Sequence, residues 1–243
     1  MENNKKNVTK EELTEMVKTD NPQMLTALDS RIEKMTYSFV ENVINGLLDK
    51  QKATVTTPSI EDCMKMLDNA YHNAVSVSSF LSEIQMSLVL YDMEYPMRDN
   101  NWTTSVIMEH SQIQTILCPI HFLLKYCAEE AMGYFPMEYC VPTKFCDMME
   151  NRAPKSIRSC FGDLPFLMDV EPTYDSFVAD TKVAAADAFW YLSGVLWYID
   201  RTRKELNSET IAWLAPMVVM MDDIMSEVKK RIEDFDEDAL LNF

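Results

Sequence analysis

The amino-acid sequence predicts an all-α protein, a bundle of about five long helices with an irregular insertion at residues 133–172. Apolar residues recur at three- and four-residue spacing through most of the chain, which is the period of an amphipathic helix. Only 4 of the 243 residues are glycine, whereas turn-rich β folds and phosphate-binding loops both need glycine. Methionine, a good helix former that fills irregular apolar gaps, occurs 19 times.

An N-terminal arm and a first long helix open the chain. Thr9 and Glu12 form a capping box, typical of a helix start, within an arm that covers residues 1–20. Asn21-Pro22 then restarts the chain, with asparagine as the cap and proline at the first helical position. The helix that follows begins the bundle domain, residues 21–232. Its apolar stripe is Leu25, Leu28, Ile32, Met35, Phe39, Val43 and Leu47.

The second helix has the most regular pattern in the chain, and it follows the Thr-Pro-Ser tripeptide at 57–59. Ten apolar residues alternate by three and four across more than four heptads, so we expect packing at a shallow crossing angle. The small side chains of Ala70 and Ala74 would let a neighbouring helix approach closely. Pro96 ends the helix. The seam is Ile60, Cys63, Leu67, Ala70, Ala74, Val77, Leu81, Ile84, Leu88 and Tyr91.

A third helix is predicted from about Trp102 to Met132, with Gly133 placed to end it. Because Pro119 lies inside this segment, we expect a kink or a break near Cys118. The insertion that follows holds five of the ten prolines and many aromatic residues. It is too apolar for a disordered linker, so we expect it to pack onto the bundle.

The last two helices are predicted to begin at the caps Thr173 and Ser208. The fourth helix reaches about Leu206, and the fifth carries Pro216 near its start. Their inner stripes are Phe177, Ala184, Ala185, Ala188, Leu192, Val195, Ile199 and Leu206 on the fourth helix, and Ile211, Leu214, Val218, Met221, Met225, Val228 and Ile232 on the fifth.

The net charge of −17, from 22 basic and 39 acidic residues, opposes binding to phosphate backbones and anionic membranes. We therefore expect a protein partner or a homo-oligomer, with no direct nucleic-acid and no membrane contact. The start of the sequence lacks the apolar core of a secretory signal, and no segment approaches the roughly 20 apolar residues of a membrane span. Six cysteines then indicate reduced thiols in a cytoplasmic location, or in a virion if the protein is viral.

Three constellations could carry metal or acid–base chemistry, and none has a complete motif. Asp68 and His72 stand one helical turn apart, which suits an acid–base or metal pair. Asp222, Asp223 and Glu227 resemble the magnesium-binding aspartate motif of all-helical isoprenoid synthases, with a spacing one residue too wide and no companion motif. The zinc candidates lack paired CxxC knuckles: Cys118, His121, Cys127, Cys140, Cys146 and Cys160. We predict no cofactor, no metal and no enzyme activity.

A cluster of aromatic residues, Phe189-Trp190-Tyr191 with Trp197-Tyr198, could form a stacking surface beside Gly194. Burial of this cluster under the insertion is the commoner explanation for so much aromatic area.

The acidic C-terminal tail, residues 233–243, is the strongest candidate for a binding site. Acids are disfavoured at the negative end of a helix dipole, so the fifth helix should fray between Ile232 and Phe235. The acids before the terminal phenylalanine resemble the tip of bacterial and phage single-stranded-DNA-binding proteins, which docks into partner proteins. The resemblance covers about ten residues and implies docking, not DNA binding. The predicted partner-binding residues are Phe235, Asp236, Glu237, Asp238, Leu240, Leu241 and Phe243. These apolar side chains could equally fold back onto the chain's own bundle.

Taken alone, the sequence predicts a non-enzymatic, acidic helical subunit that works by protein–protein interaction, for example as a structural or connector component of a viral particle. Two alternatives stay open. One is an inhibitor or nucleic-acid mimic that acts on a basic partner, and the other is an all-α metal-dependent enzyme that uses helix carboxylates.

Overall fold

The computed structural model describes residues 23–53, 57–94, 104–135 and 174–235. These residues form five long helices and no strand, which confirms the predicted all-α bundle. The N-terminal arm and the insertion from residue 136 onward lie outside the described residues. The helices are α1 (Met24–Ala53), α2 (Ile60–Glu94), α3 (Thr104–Met132), α4 (Tyr174–Glu205) and α5 (Ile211–Glu233).

α5 is the central helix, because it contacts all four others, while the largest single interface joins α3 to α4. α2 and α5 run in the same direction. Asn69 near the start of α2 donates to Asp222 at 2.5 Å, and Phe80, further along α2, contacts Phe235 just beyond α5. Contacts that advance together along both helices define a parallel pair.

α3 and α4 also run parallel. The side-chain amide of Gln114 donates to the Thr181 hydroxyl at 2.8 Å. Further along both helices, the ring centre of His121 lies 5.2 Å from that of Tyr191. Parallel neighbours cannot be joined by a tight turn, because the chain has to return to the far end of the bundle. This requirement explains why the long segment 133–173 separates α3 from α4.

The predicted seam of α2 is buried at each of its members from Cys63 to Leu88, and its first member is not. Ile60 is 39% exposed, and residues 57–62 are exposed or half-buried, so the first turn projects beyond the helices that cover the rest. This turn is held by its cap: the Asp62 amide donates to the Ser59 hydroxyl at 3.1 Å.

The predicted apolar stripe of α1 is buried toward both ends of the helix but not in its middle. Leu28 and Leu47 are buried, but Met35 is 40% exposed, and Thr36 occupies the buried position beside it. α1 packs chiefly on α3 and only lightly on α5, so it buries a narrower strip than a 3–4 pattern implies. The inner stripes predicted for α4 and α5 are buried or partly buried throughout.

α3 continues unbroken through Pro119, so the break expected near Cys118 does not occur. Proline has no N–H, and it therefore leaves the carbonyl of residue i−4, here Thr115, without its helical hydrogen bond. Arg231 of α5 supplies the missing donor: its guanidinium donates to the Thr115 carbonyl at 3.2 Å. The same guanidinium lies 5.1 Å from the centre of the Phe39 ring of α1, so one side chain joins three helices.

α5 begins after Thr210, and the predicted cap at Ser208 is wrong. The side-chain oxygen of Asn207 accepts the amides of Glu209 and Thr210 at 2.8 and 3.2 Å. An asparagine side chain that accepts the backbone amides two and three residues later in the chain forms an Asx turn. Asn207 therefore turns the chain between α4 and α5.

Candidate functional site

Phe235 is the one residue of the predicted partner-binding set that the structure describes. α5 ends at Glu233, within the range where fraying is expected, and the Phe235 amide donates back to the Ile232 carbonyl at 3.1 Å. The Phe235 ring meets the Phe80 ring edge-on, with centroids 6.2 Å apart. Asp236, Glu237, Asp238, Leu240, Leu241 and Phe243 lie outside the described residues. Their binding role stays a prediction, and Phe235, which precedes them in the sequence, lies against α2.

The side of α2 that faces away from the bundle carries exposed apolar side chains, a feature that sequence reasoning missed. Tyr71, Val75 and Met86 are 41%, 47% and 61% exposed. Val75 and Met86 are eleven residues apart, or about three helical turns, so they lie on one line. We call this stripe the α2 outer face: Tyr71, Val75, Ser78, Ser79, Ser82 and Met86.

Charge is nearly absent from this part of α2. From Asn69 to Tyr91 the sequence holds one formally charged residue, Glu83. Two of its serine hydroxyls bond to the helix itself: Ser79 donates to the Val75 carbonyl at 3.3 Å and Ser82 to the Ser78 carbonyl at 2.9 Å. Serines that bond to their own helix offer little to a polar ligand. The outer face therefore has small side chains at its centre and larger apolar side chains toward its ends.

One end of the outer face is held in place by α4. Arg203 donates to the Asp68 carboxylate at 2.6 Å and to the Leu67 carbonyl at 3.2 Å, and its guanidinium lies 5.0 Å from the Tyr71 ring centre. The Asp68 carboxylate is thus paired with arginine. His72 contacts the Asp68 backbone carbonyl, with Nδ1 at 2.6 Å, rather than the carboxylate. The two side chains therefore do not form the acid–base pair that their spacing would allow.

The aspartates of α5 are also used between helices. Asp222 accepts from Asn69, and partial burial raises its pKa. Asp223 accepts from Lys50 of α1 at 2.9 Å, and this hydrogen bond raises the pKa of the lysine. Among the described residues no three His, Cys, Asp or Glu side chains are placed to hold a metal ion. Asp222, Asp223 and Glu227 therefore do not assemble the carboxylate site that the metal-enzyme alternative requires.

Three of the zinc candidates, Cys118, His121 and Cys127, lie inside α3 and are buried. Burial raises the pKa of each of the two thiols to about 12, and nearby acids add to the effect at Cys118. Burial also lowers the pKa of His121 to about 3, with a smaller contribution from Lys125. Thiols and imidazole in this state are packing groups rather than nucleophiles or ligands. Cys140, Cys146 and Cys160 lie outside the described residues.

The aromatic cluster divides between core and surface. Tyr191 and Tyr198 are buried, whereas Trp197 is 37% exposed. Phe135, the third residue of the predicted insertion, stacks on Tyr198 with centroids 6.0 Å apart and meets Trp213 edge-on at 6.3 Å. The start of the insertion thus covers part of the cluster, at the end of the bundle where α3 and α4 finish and α5 begins.

Comparison of the chain with models of protein families, with curated proteins and with solved structures finds no match. None of the helices within the described ranges has both the length and the hydropathy to cross a membrane.

Proposed function

We propose that this protein is a non-enzymatic, acidic helical subunit that works by binding other protein chains, and that its tail, residues 233–243, serves as a docking peptide. Its partners are another protein or further copies of itself, rather than nucleic acid or membrane. It acts in the cytoplasm, or inside a viral particle as a structural or connector component.

The observation that carries the proposal is the α2 outer face. A solvent-exposed apolar stripe is stabilised when a partner removes it from water, by roughly 25 cal/mol for each Å² buried. The same stripe lacks charged groups, so a partner could cover it without desolvating ions, which is the costly step at most protein surfaces.

The position of Phe235 supports the docking role of the tail. Because its ring packs on Phe80, Phe235 is held at a defined point beside α2. A peptide that starts from a fixed anchor loses less conformational freedom on binding than one on a long linker. The predicted binding residues Leu240, Leu241 and Phe243 follow this anchor after four intervening residues.

Truncation after Phe235 tests the proposal, since it retains the contact with Phe80 and removes only residues 236–243. Proteins that bind the immobilised full chain in a lysate of its source cells are identified by mass spectrometry. Each is then purified and titrated against the full and truncated chains by calorimetry. We expect at least one partner with a Kd below about 10 μM and a loss of tenfold or more on truncation.

A synthetic peptide of residues 234–243 provides the second arm and should displace that partner. If purified partners bind both chains equally and the peptide does not compete, the docking role of the tail is wrong. If no protein, including a second copy of this chain, binds at that affinity, the proposed function itself fails.

A further inference from the structure

We propose that the α2 outer face is a self-association surface, on which α2 of a second copy of this chain packs in the antiparallel direction about a two-fold axis near Ser78 and Ser79. The inference rests on the proposed function and names one of its partners. Charge, shape and register each favour a second copy as the partner.

Charge favours a second copy at this surface. Two molecules that each carry −17 repel one another over most of their surfaces. The stretch from Asn69 to Tyr91 contributes one carboxylate and no basic residue, so the repulsion between copies is smallest where the outer faces meet. An oppositely charged partner would gain nothing from this stripe, because the stripe offers it no charge to pair with.

The shape of the stripe is self-complementary. Its large side chains, Tyr71 and Met86, stand at the two ends, and small serines stand at the centre. When two such helices cross antiparallel at their midpoints, the serines allow close approach and each tyrosine meets the methionine of the other copy. A thioether beside an aromatic ring is a favourable contact. A two-fold pairing of this kind closes on itself and gives a dimer rather than a filament.

The register follows from equal spacing about the axis. Tyr71 and Met86 are equidistant from the Ser78–Ser79 midpoint, and so are Val75 and Ser82. In the pair, Val75 of one copy therefore faces Ser82 of the other. Tyr71 and Met86 are fifteen steps apart along the helix, so the contact between the copies is roughly 22 Å long at 1.5 Å per residue.

The same register places the one acid of this stretch beside an imidazole. Glu83 and His72 project from the same flank of the outer face at 100° per residue. A two-fold axis perpendicular to both helices keeps that flank on the same side of the pair. Glu83 of one copy then lies within about one turn of the second copy's His72, once on each half of the interface.

Analytical ultracentrifugation of the full chain between about 1 and 500 μM tests the inference. Met86→Glu should weaken dimerisation by about 100-fold or more, because two carboxylates are then buried in each dimer. Met35→Glu on α1 is the matched control: it also replaces an exposed methionine and makes the same change in charge, and it should leave the dissociation constant within twofold.

A pair of variants tests the register. Val75→Lys and Ser82→Glu should each weaken self-association alone, while their equimolar mixture should associate at least tenfold more tightly than either. In the mixed dimer, Lys at position 75 of one copy faces Glu at position 82 of the other, and the second such pair is the unchanged Val75 and Ser82. This rescue requires residue 75 to face residue 82, which a parallel pair does not provide. An unrescued mixture overturns the antiparallel register.

A chain that is monomeric at 500 μM overturns the self-association, as does a dimer that Met86→Glu leaves intact. In either case partner capture by residues 236–243 is measured separately. A monomer that still binds a purified partner through its tail refutes this inference and leaves the proposed function in place. A dimer without any tail-dependent partner supports the inference and removes the docking peptide from the proposed function.

Discussion

The contact between Arg231 and the Thr115 carbonyl gives the sharpest test of how this fold is stabilised. Pro119 removes the normal donor to that carbonyl, and the arginine replaces it at 3.2 Å. Arg231→Leu keeps most of the aliphatic stem but leaves the half-buried carbonyl without its donor. An unsatisfied acceptor costs about 1–3 kcal/mol, and the lost contact with the Phe39 ring costs about 0.5–1 kcal/mol more. We expect a total destabilisation of about 2–3 kcal/mol.

Pro119→Ala restores the backbone N–H whose absence leaves the Thr115 carbonyl to Arg231. An alanine at 119 has an N–H that can donate to the Thr115 carbonyl in the ordinary helical manner. In this background Arg231→Leu should cost about 1 kcal/mol less than it does in the natural sequence. The assay is a double-mutant cycle of urea unfolding followed by circular dichroism, with the coupling free energy as the readout.

Arg203→Leu is the matched control for this cycle. Arg203 also donates to a helix carbonyl at 3.2 Å and also lies about 5 Å from a ring centre. The carbonyl that it contacts is that of Leu67, and the residue four positions later, Tyr71, has a backbone N–H for the ordinary helical hydrogen bond. Its cost should be the same with and without Pro119→Ala. If Arg231→Leu is equally destabilising in both backgrounds, then the arginine does not replace the missing proline donor and the reasoning is refuted.

Three further predictions concern buried or capping groups. His121 has a pKa of about 3 in the fold and about 6.5 when unfolded. Its contribution to the free energy of unfolding is therefore complete above pH 6.5 and falls as the pH drops toward 3. Between pH 7 and pH 5 His121→Leu should therefore lose about 2 kcal/mol less unfolding free energy than the natural chain. Asn207→Ala should cost about 1 kcal/mol in urea unfolding and Ser208→Ala close to nothing, because the side chain of Asn207, and not that of Ser208, accepts the amides of the turn; equal effects would contradict this assignment. Cys118 and Cys127 should resist iodoacetamide at pH 8 in the native protein and react once it is unfolded, as peptide mass spectrometry would show; rapid native labelling would contradict their burial.

The helices could be predicted from sequence because burial imposes a period on the chain. The seam of α2 and the stripes of α4 and α5 repeat over many turns, so single errors such as Met35 and Ile60 do not change the helix assignments. Periodicity reports which side of a helix is apolar. It does not report how far the neighbouring helices extend along that side, and this is why both errors arise where cover is thin.

The polar contacts could not be predicted, because each depends on residues that are remote in sequence. Asp68 and His72 form a plausible local pair, yet Arg203 takes the carboxylate from another helix. Asp222 and Asp223 likewise bond to α2 and α1 rather than to a shared metal. The α2 outer face was hidden for a different reason: its apolar residues are few, and the stronger seam on the opposite side dominates the pattern.

These remote polar contacts also explain how a methionine-rich core adopts one arrangement. α5 buries several long, unbranched side chains that adapt to many surroundings, among them Met217, Met221 and Met225. If α5 slid by one turn along its neighbours, the apolar stripe would remain buried, because its spacing repeats every three to four residues. The same slide would leave Asp222 away from Asn69 and the Thr115 carbonyl without Arg231. Apolar burial therefore drives the five helices together, and the few polar contacts between them select the register.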